Sequence, residues 1–246
     1  MKTRISLILL LSLLISPLVT PAQDVPVPSG ADSKGPVILT VGGGQHHDFE
    51  RWTHQADSAT LRAMGATVSY TEDPDKILPA LAKIDVLYLS NNKPIPDPET
   101  RKAIFNFLDE GKGLMLVHSS LWYNWRVWPE YNRNLAGGGS RSHPPLGEFE
   151  VTVVDGDHPI MKDIPEKFTI VDELYRFETD AEGPELHVLA TAREPGTDKT
   201  FPVVWTVEHP KGRIVCNTLG HDGRAHEHAA FKSLLKNSVH WLVASE

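Results

Sequence analysis

Four short runs of this chain gather side chains that could carry chemistry. They are Gln45-His46-His47-Asp48-Phe49, Ser90-Asn91-Asn92, His118-Ser119-Ser120-Leu121-Trp122-Tyr123 and Gly220-His221-Asp222, the last followed by His226 and His228. Imidazoles titrate near neutral pH, so His47, His118 and His221 could move protons beside a carbonyl, with Glu173 as a second acid or base. Neutral imidazoles with carboxylates also form sites for Zn²⁺ or Mn²⁺. No ligand pair here has a diagnostic spacing. There is no His-Glu-x-x-His, and His226-Glu227-His228 cannot turn both rings to one helix face. The residues require no cofactor, yet they leave room for a divalent metal.

Each candidate also has a plainer alternative. Asp48 could cap a helix beginning near Glu50. His118 could be a satisfied histidine at the end of a buried strand, and His221, followed by Asp222-Gly223, a turn residue. Asp157-His158-Pro159 reads as a structural turn, while His187, His209 and His240 carry no positional argument. Gly42-Gly43-Gly44 lacks the third spaced glycine of a dinucleotide loop, since His47 stands there. Gly137-Gly138-Gly139-Ser140 lacks the Gly-Lys ending of a phosphate loop, and Ser119 is not in a Gly-x-Ser-x-Gly motif.

The elements that would position these runs alternate regularly from Pro36 onward. Val37–Val41, Ala66–Tyr70, Val86–Leu89 and Gly113–Val117 are short apolar or β-branched runs, the pattern of strands buried on both faces. Between them lie helical patterns. One carries Trp52, Ala56, Ala59 and Ala63 and is stopped by Gly65; a short one is capped by Asp73 with Pro74 behind it. A third is opened by Asp97-Pro98-Glu99 and closed by Gly111. Such alternation predicts right-handed βαβ units and a parallel sheet, whose ligands bind beyond the carboxyl ends of the strands. The four runs follow the first, third, fourth and last strands. In the second half, Glu148–Val154, Leu174–Phe177, Leu186–Ala192, Pro202–Val207 and Arg213–Leu219 read as strands, several antiparallel. A helix is expected from about Glu227 to Ala244.

Residues 1–22 are different. Lys2 and Arg4 precede an apolar run from Ile5 to Ile15, Pro17 breaks it, and Thr20-Pro21-Ala22 offers small residues for cleavage. These are the parts of a secretory signal, so export to the periplasm or medium is expected. Residues 23–35 read as a disordered leader and residues 36–246 as one domain. Cleavage would move the formal charge from -8 to -10. An acidic chain of this kind is a poor match for nucleic acid, and no membrane association is expected once the signal is removed. Cys216 is the sole cysteine, so no internal disulfide can form. A homo-oligomer is left open.

Several of these segments, taken in order, resemble the ThuA-like family, named for trehalose utilisation. They are His47-Asp48-Phe49, Gly113–His118, Gly137–Ser140 before His143, Asp157-His158-Pro159-Ile160, Asp172-Glu173-Leu174-Tyr175, Pro202–Trp205 and Thr218–Asp222. The resemblance covers about residues 36–244. It implies a flavodoxin-like α/β fold, the three-layer sandwich of class I glutamine amidotransferases with a mainly parallel sheet, and a role in bacterial carbohydrate metabolism. Those amidotransferases place a nucleophilic cysteine just after a central strand. Here that exit reads Val117-His118-Ser119 and Cys216 lies inside a late strand, which excludes amidotransferase chemistry. The expected activity is on a keto-sugar or its glycoside, with His47, His118, His221 and Glu173 as catalytic groups. Contacts to a small-molecule carbohydrate are expected from Asp48, Ser119, Trp122, Tyr123, His143, Tyr175, Trp205 and Asp222. A non-catalytic sugar-binding module and a metal-dependent hydrolase or isomerase are the alternatives. The three histidines are expected to converge in one pocket, with His143 and Glu173 at its rim.

Overall fold

A computed structural model of the chain describes residues 35–122, 126 and 128–244. The expected signal and leader, and Tyr123, lie outside the described residues. In chain order the structure runs β1 (Val37–Val41), a π-helical stretch Glu50–Asp57 continuing as α1 (Ser58–Arg62), β2 (Thr67–Thr71), α2 (Ile77–Leu81), β3 (Val86–Leu89), α3 (Pro98–Asp109) and β4 (Gly113–Val117). The second half holds β5 (Gly138–Ser140), β6 (Gly147–Val153), β7 (Lys167–Asp172), β8 (Phe177–Thr179), β9 (Leu186–Arg193), β10 (Thr200–Val207), β11 (Arg213–Asn217), α4 (Gly223–His226) and α5 (Ala229–Leu242).

The main sheet has the order β2-β1-β3-β4-β11-β10-β9-β6-β7. Its first five strands are mutually parallel, and β10, β9, β6 and β7 extend it as an antiparallel wing. Strands β1, β3 and β4 are buried throughout, because the strand period of two sends alternate side chains into two separate cores. Ile38, Val86, Tyr88, Met115 and Val117 meet Leu61 of α1 and Phe231, Leu234, Leu235 and Val239 of α5 on one face. Leu39, Leu87, Leu89, Leu114 and Leu116 meet Ile77 and Leu81 of α2 and Ile104, Phe107 and Leu108 of α3 on the other. The result is a three-layer α/β sandwich.

Local signals set the helix ends. The Asp97 carboxylate accepts the N–H groups of Glu99 and Thr100 with Pro98 at the first helical position, and Asp73 caps the turn before α2 in the same way. His158 accepts from the Ile160 N–H, so Asp157-His158-Pro159 is a structural turn.

Two expected strands end differently. Leu174–Phe177 is not one strand: β7 stops at Asp172, and β8 begins only at Phe177. The Asp172 carboxylate takes backbone N–H groups from another loop, which turns the chain out of the sheet at Glu173. The alternation in β7, with Phe168 and Ile170 buried between exposed Lys167 and Thr169, carried the strand signal that the Leu174–Phe177 reading overlooked. The last strand stops at Asn217 rather than Leu219, which frees the Thr218 carbonyl for the site.

Strand order reverses between β1 and β3, and the loops after those strands are stitched together. The Gly43 carbonyl accepts the N–H groups of Asn92 and Lys93, and the Asn92 side chain both donates to and accepts from the Gln45 backbone. This is the crevice where open α/β sheets bind ligands.

Candidate metal and substrate site

At the carboxyl end of the sheet, His47 follows β1, His118 follows β4 and His221 follows β11. Their ring centroids lie 4.9 Å (His47–His118), 5.0 Å (His47–His221) and 5.6 Å (His118–His221) apart. Glu173 does not sit at the rim but among the rings. Its Oε2 is 3.5 Å from His118 Nε2 and 3.2 Å from His221 Nδ1. One donor atom from each of His47, His118, Glu173 and His221 falls within 4.8 Å of every other.

The imidazoles are held from behind. His118 Nδ1 donates to the Thr218 carbonyl at 2.7 Å, and His47 Nδ1 donates to the Gln45 carbonyl at 3.0 Å. These bonds place the proton of each neutral ring on Nδ1 and leave the Nε2 lone pair facing the cluster, the arrangement that prepares a histidine to ligate. His47 Nε2 and His221 Nδ1 are buried without a hydrogen-bond partner. The His221 approach to Glu173 is off the hydrogen-bond axis, so we read it as electrostatic pairing. Buried polar nitrogens left orphaned in this way call for an additional partner between them.

His118 has φ of 47°, in the left-handed region that residues other than glycine adopt uncommonly. It sits at the sharp turn from β4 into the helical turn His118–Leu121, where the backbone tips the side chain up above the sheet. Gly220 makes room: its φ is 129°, and a Cβ there would lie 3.2 Å from the His118 Cβ. Such strain persists only where surrounding structure enforces it.

Electrostatics separate the roles. Burial, then the neighbouring His118 ring, push the His47 imidazole down to about 3. It is therefore neutral at physiological pH. Burial works to raise the Glu173 carboxyl, but His118 and His221 outweigh it and hold the group well below the ordinary carboxylate range. Glu173 in turn raises His221 above its ordinary value. Asp172 is fully buried and accepts the N–H groups of Gly220 (2.7 Å), His221 (3.1 Å) and Glu173 (2.8 Å). Burial pushes its carboxyl up, against the lowering influence of the neighbouring His118 ring and of these donors.

Around the cluster opens a cavity of about 1090 Å³ lined by Gln45, Glu72, Asn92, Lys93, Trp122, His143, Tyr175 and three of the four donor residues. The Tyr175 hydroxyl donates to His118 Nε2 at 3.2 Å. Trp122 stands edge-on to both His143 and Tyr175, and His143 Nε2 lies 3.7 Å from Glu173. Ser119 also lines the cavity, its hydroxyl bonded to the Ser90 carbonyl at 2.5 Å.

Three expected contacts lie elsewhere. Trp205 is completely buried in the core facing α2 and α3, donating to the Ala136 carbonyl and packed on Phe177. The alternation of β10 turns it away from the cavity. Asp48 caps the helical stretch by accepting the Arg51 N–H, and Asp222 caps α4 and is paired with Arg224. Neither lines the cavity. Conversely, sequence assigns no role to Asp172 or Asp57, and although Asn92 and His226 follow strand exits, it does not show that Asn92 stitches two loops or that His226 pairs with Asp57 in the interior. His226 gives Nδ1 to Asp57 at 2.7 Å and Nε2 to the Gly220 carbonyl at 2.9 Å. Both partners are acceptors, so both ring nitrogens must donate and the ring is an imidazolium. Only position relative to Glu173 and His221 could have hinted at Asp172; nothing local marks Asp57.

The fold has solved relatives. A ThuA-like protein from Parabacteroides merdae aligns over 85% of this chain and 90% of its own, with 21% identity and a TM-score of 0.75. Another from Bacteroides uniformis covers 86% and 93%, at 20% identity and a TM-score of 0.69. A glutamine amidotransferase from Thermotoga maritima covers 85% and 99%, at 11% identity and a TM-score of 0.54, so the architecture is shared at distances where chemistry need not be. No curated protein matches significantly. The ThuA family model, described as trehalose utilisation, matches residues 37–242, and the chain belongs to that family.

Proposed function

We propose that this protein is an exported, metal-dependent enzyme of carbohydrate metabolism that acts as a hydrolase, lyase or isomerase on a keto-sugar or its glycoside. The observation that carries the metal assignment is the cluster itself. Four donors from four chain segments lie within 4.8 Å of one another, and two of their nitrogens, His47 Nε2 and His221 Nδ1, are buried without a hydrogen bond. A histidine proton shuttle is the weaker reading of the same residues. A ring held at about 3 is a poor base near neutral pH, and a carboxylate held well below its ordinary range is a poor acid. Neutral imidazoles and an ionised carboxylate are instead the forms in which these groups bind Zn²⁺ or Mn²⁺. Family membership supports the carbohydrate assignment, and the polar cavity with Trp122 on its wall agrees with it. Export rests on the basic, apolar and small-residue pattern of residues 1–22.

The test is elemental analysis of purified protein together with NMR-monitored turnover of 3-keto-glucosides before and after chelation. Stoichiometric metal, and turnover lost on chelation and restored on reloading, is the expected result. Turnover that survives complete metal removal would return the assignment to histidine acid/base chemistry. Saturable sugar binding without turnover would make the protein a binding module.

A further inference from the structure

Resting on that metal assignment, we infer that the centre takes its substrate as a two-oxygen chelate, an α-hydroxycarbonyl or vicinal diol of a sugar, on two open positions of a six-coordinate ion.

Four protein donors are too many for a catalytic tetrahedral zinc, which keeps one position open by using three, and they suffice to close a structural one. A structural ion is not needed here. The site lies above two continuous apolar cores that already secure the sheet, and it lies on a cavity wall rather than inside packing. An ion with octahedral preference, such as Mn²⁺, retains two positions after His47, His118, Glu173 and His221 are spent. Among the described residues no fifth histidine, cysteine or carboxylate joins the group. Of the near polar side chains, Ser119 is committed to the Ser90 carbonyl, and His143, bonded through Nδ1 to the Pro144 carbonyl, turns Nε2 to Oε1 of Glu173 at 3.7 Å without joining the four donors. The open positions are therefore left for water or substrate on the cavity side, where Glu173 and His221 keep 13% and 22% of their side-chain surface.

Sugars with a carbonyl beside a hydroxyl present two oxygens at the bite that adjacent positions require. Tyr175 completes the recognition. Its buried hydroxyl donates to His118 Nε2. Once that lone pair is given to a metal, the same O–H has lost its acceptor and is available to a chelated oxygen. The cavity, slightly larger than the ~300–1,000 Å³ usual for small-molecule sites, leaves space for the rest of a glycoside toward Glu72 and Lys93.

The experiment loads the purified protein with Mn²⁺ and measures water-proton relaxation while titrating maltol, a hydroxypyranone, or its O-methyl ether, which lacks the second donor. We expect about two exchangeable waters on the bound ion. Maltol should displace them in a ternary complex, and the ether should bind roughly tenfold more weakly or worse. Tyr175→Phe should weaken maltol while Mn²⁺ affinity holds or rises, since His118 Nε2 no longer has a hydrogen bond to give up. Co²⁺-loaded protein should show the weak visible absorption of a five- or six-coordinate ion. An ion with no exchangeable water, equal binding of maltol and its ether, or an intense four-coordinate Co²⁺ spectrum unchanged by maltol would overturn the chelate. Failure to take up Mn²⁺, Co²⁺ or Zn²⁺ at all would overturn the metal assignment beneath it.

Discussion

The carboxylate of Asp172 accepts the backbone N–H of His221 at 3.1 Å, across 49 residues of sequence. The same group holds the N–H of Glu173 and of Gly220, so one buried side chain fixes the backbone of two donor residues. From the other side His226 holds the Gly220 carbonyl. The peptide leading into His221 is thus clamped at both its N–H and its C=O.

Asp172→Asn keeps the shape but offers one acceptor oxygen in place of two. Each hydrogen bond to a charged group that is lost should cost about 1.5–3 kcal/mol in unfolding experiments. Metal affinity of the folded protein should fall by roughly 10–100-fold, as for other residues that orient ligands from behind. Competition with a fluorescent chelator measures the second effect. A loss of stability with unchanged affinity would make Asp172 purely structural.

His118→Asn separates strain from function. Asparagine tolerates the left-handed backbone better than histidine, and relief of such strain offsets part of the lost packing, the strain being of order 1–3 kcal/mol. The thermal midpoint should therefore move little. Metal affinity should drop by more than the ~10–100-fold of an outer-shell change, because a donor is gone. A large fall in midpoint with metal binding intact would reassign His118 as a core residue.

Stability of the metal-free protein should pass through a maximum near pH 6.5, for two reasons of opposite sign. The His47 value is depressed to about 3, so the unfolded chain binds its proton first as pH falls below 6.5. That contribution is complete above 6.5 and is lost toward pH 3, with a slope of about 1.4 kcal/mol per pH unit. His226 runs the other way. Burial lowers it, but the Asp57 charge prevails and raises it, so its contribution is complete below 6.5 and is lost as pH rises through the folded value. Urea midpoints across pH should show a shallower acid limb in His47→Gln and a shallower alkaline limb in His226→Gln, the remainder coming from Glu173 and His221. Unchanged limbs would refute both assignments.

Trp205→Phe should leave ligand and metal binding unchanged while lowering stability. The Ala136 carbonyl loses its buried donor, a cost of about 1–3 kcal/mol. Weakened ligand binding in the folded variant would put Trp205 back among the contacts.

By itself the sequence determined the parallel half of the fold. Uniform apolar runs such as Val37–Val41, proline-opened helices such as Asp97-Pro98-Glu99, and glycine stops are local signals, and the residues following each strand necessarily reach one end of the sheet. This is why His47, His118 and His221 could be named as a group. What tertiary structure alone decided is which carboxylates join them. Glu173 reaches the centre only because β7 lies at the far edge of an antiparallel wing and Asp172 bonds to the loop after β11. Asp48 and Asp222, equally close to histidines in sequence, are spent on helix N-termini. The conversion of three histidines from proton carriers to prospective ligands was also beyond sequence. The Nδ1 tautomers of His118 and His47 come from the Thr218 and Gln45 carbonyls, and the neutral state of His47 comes from burial, which depends on packing rather than on residue type.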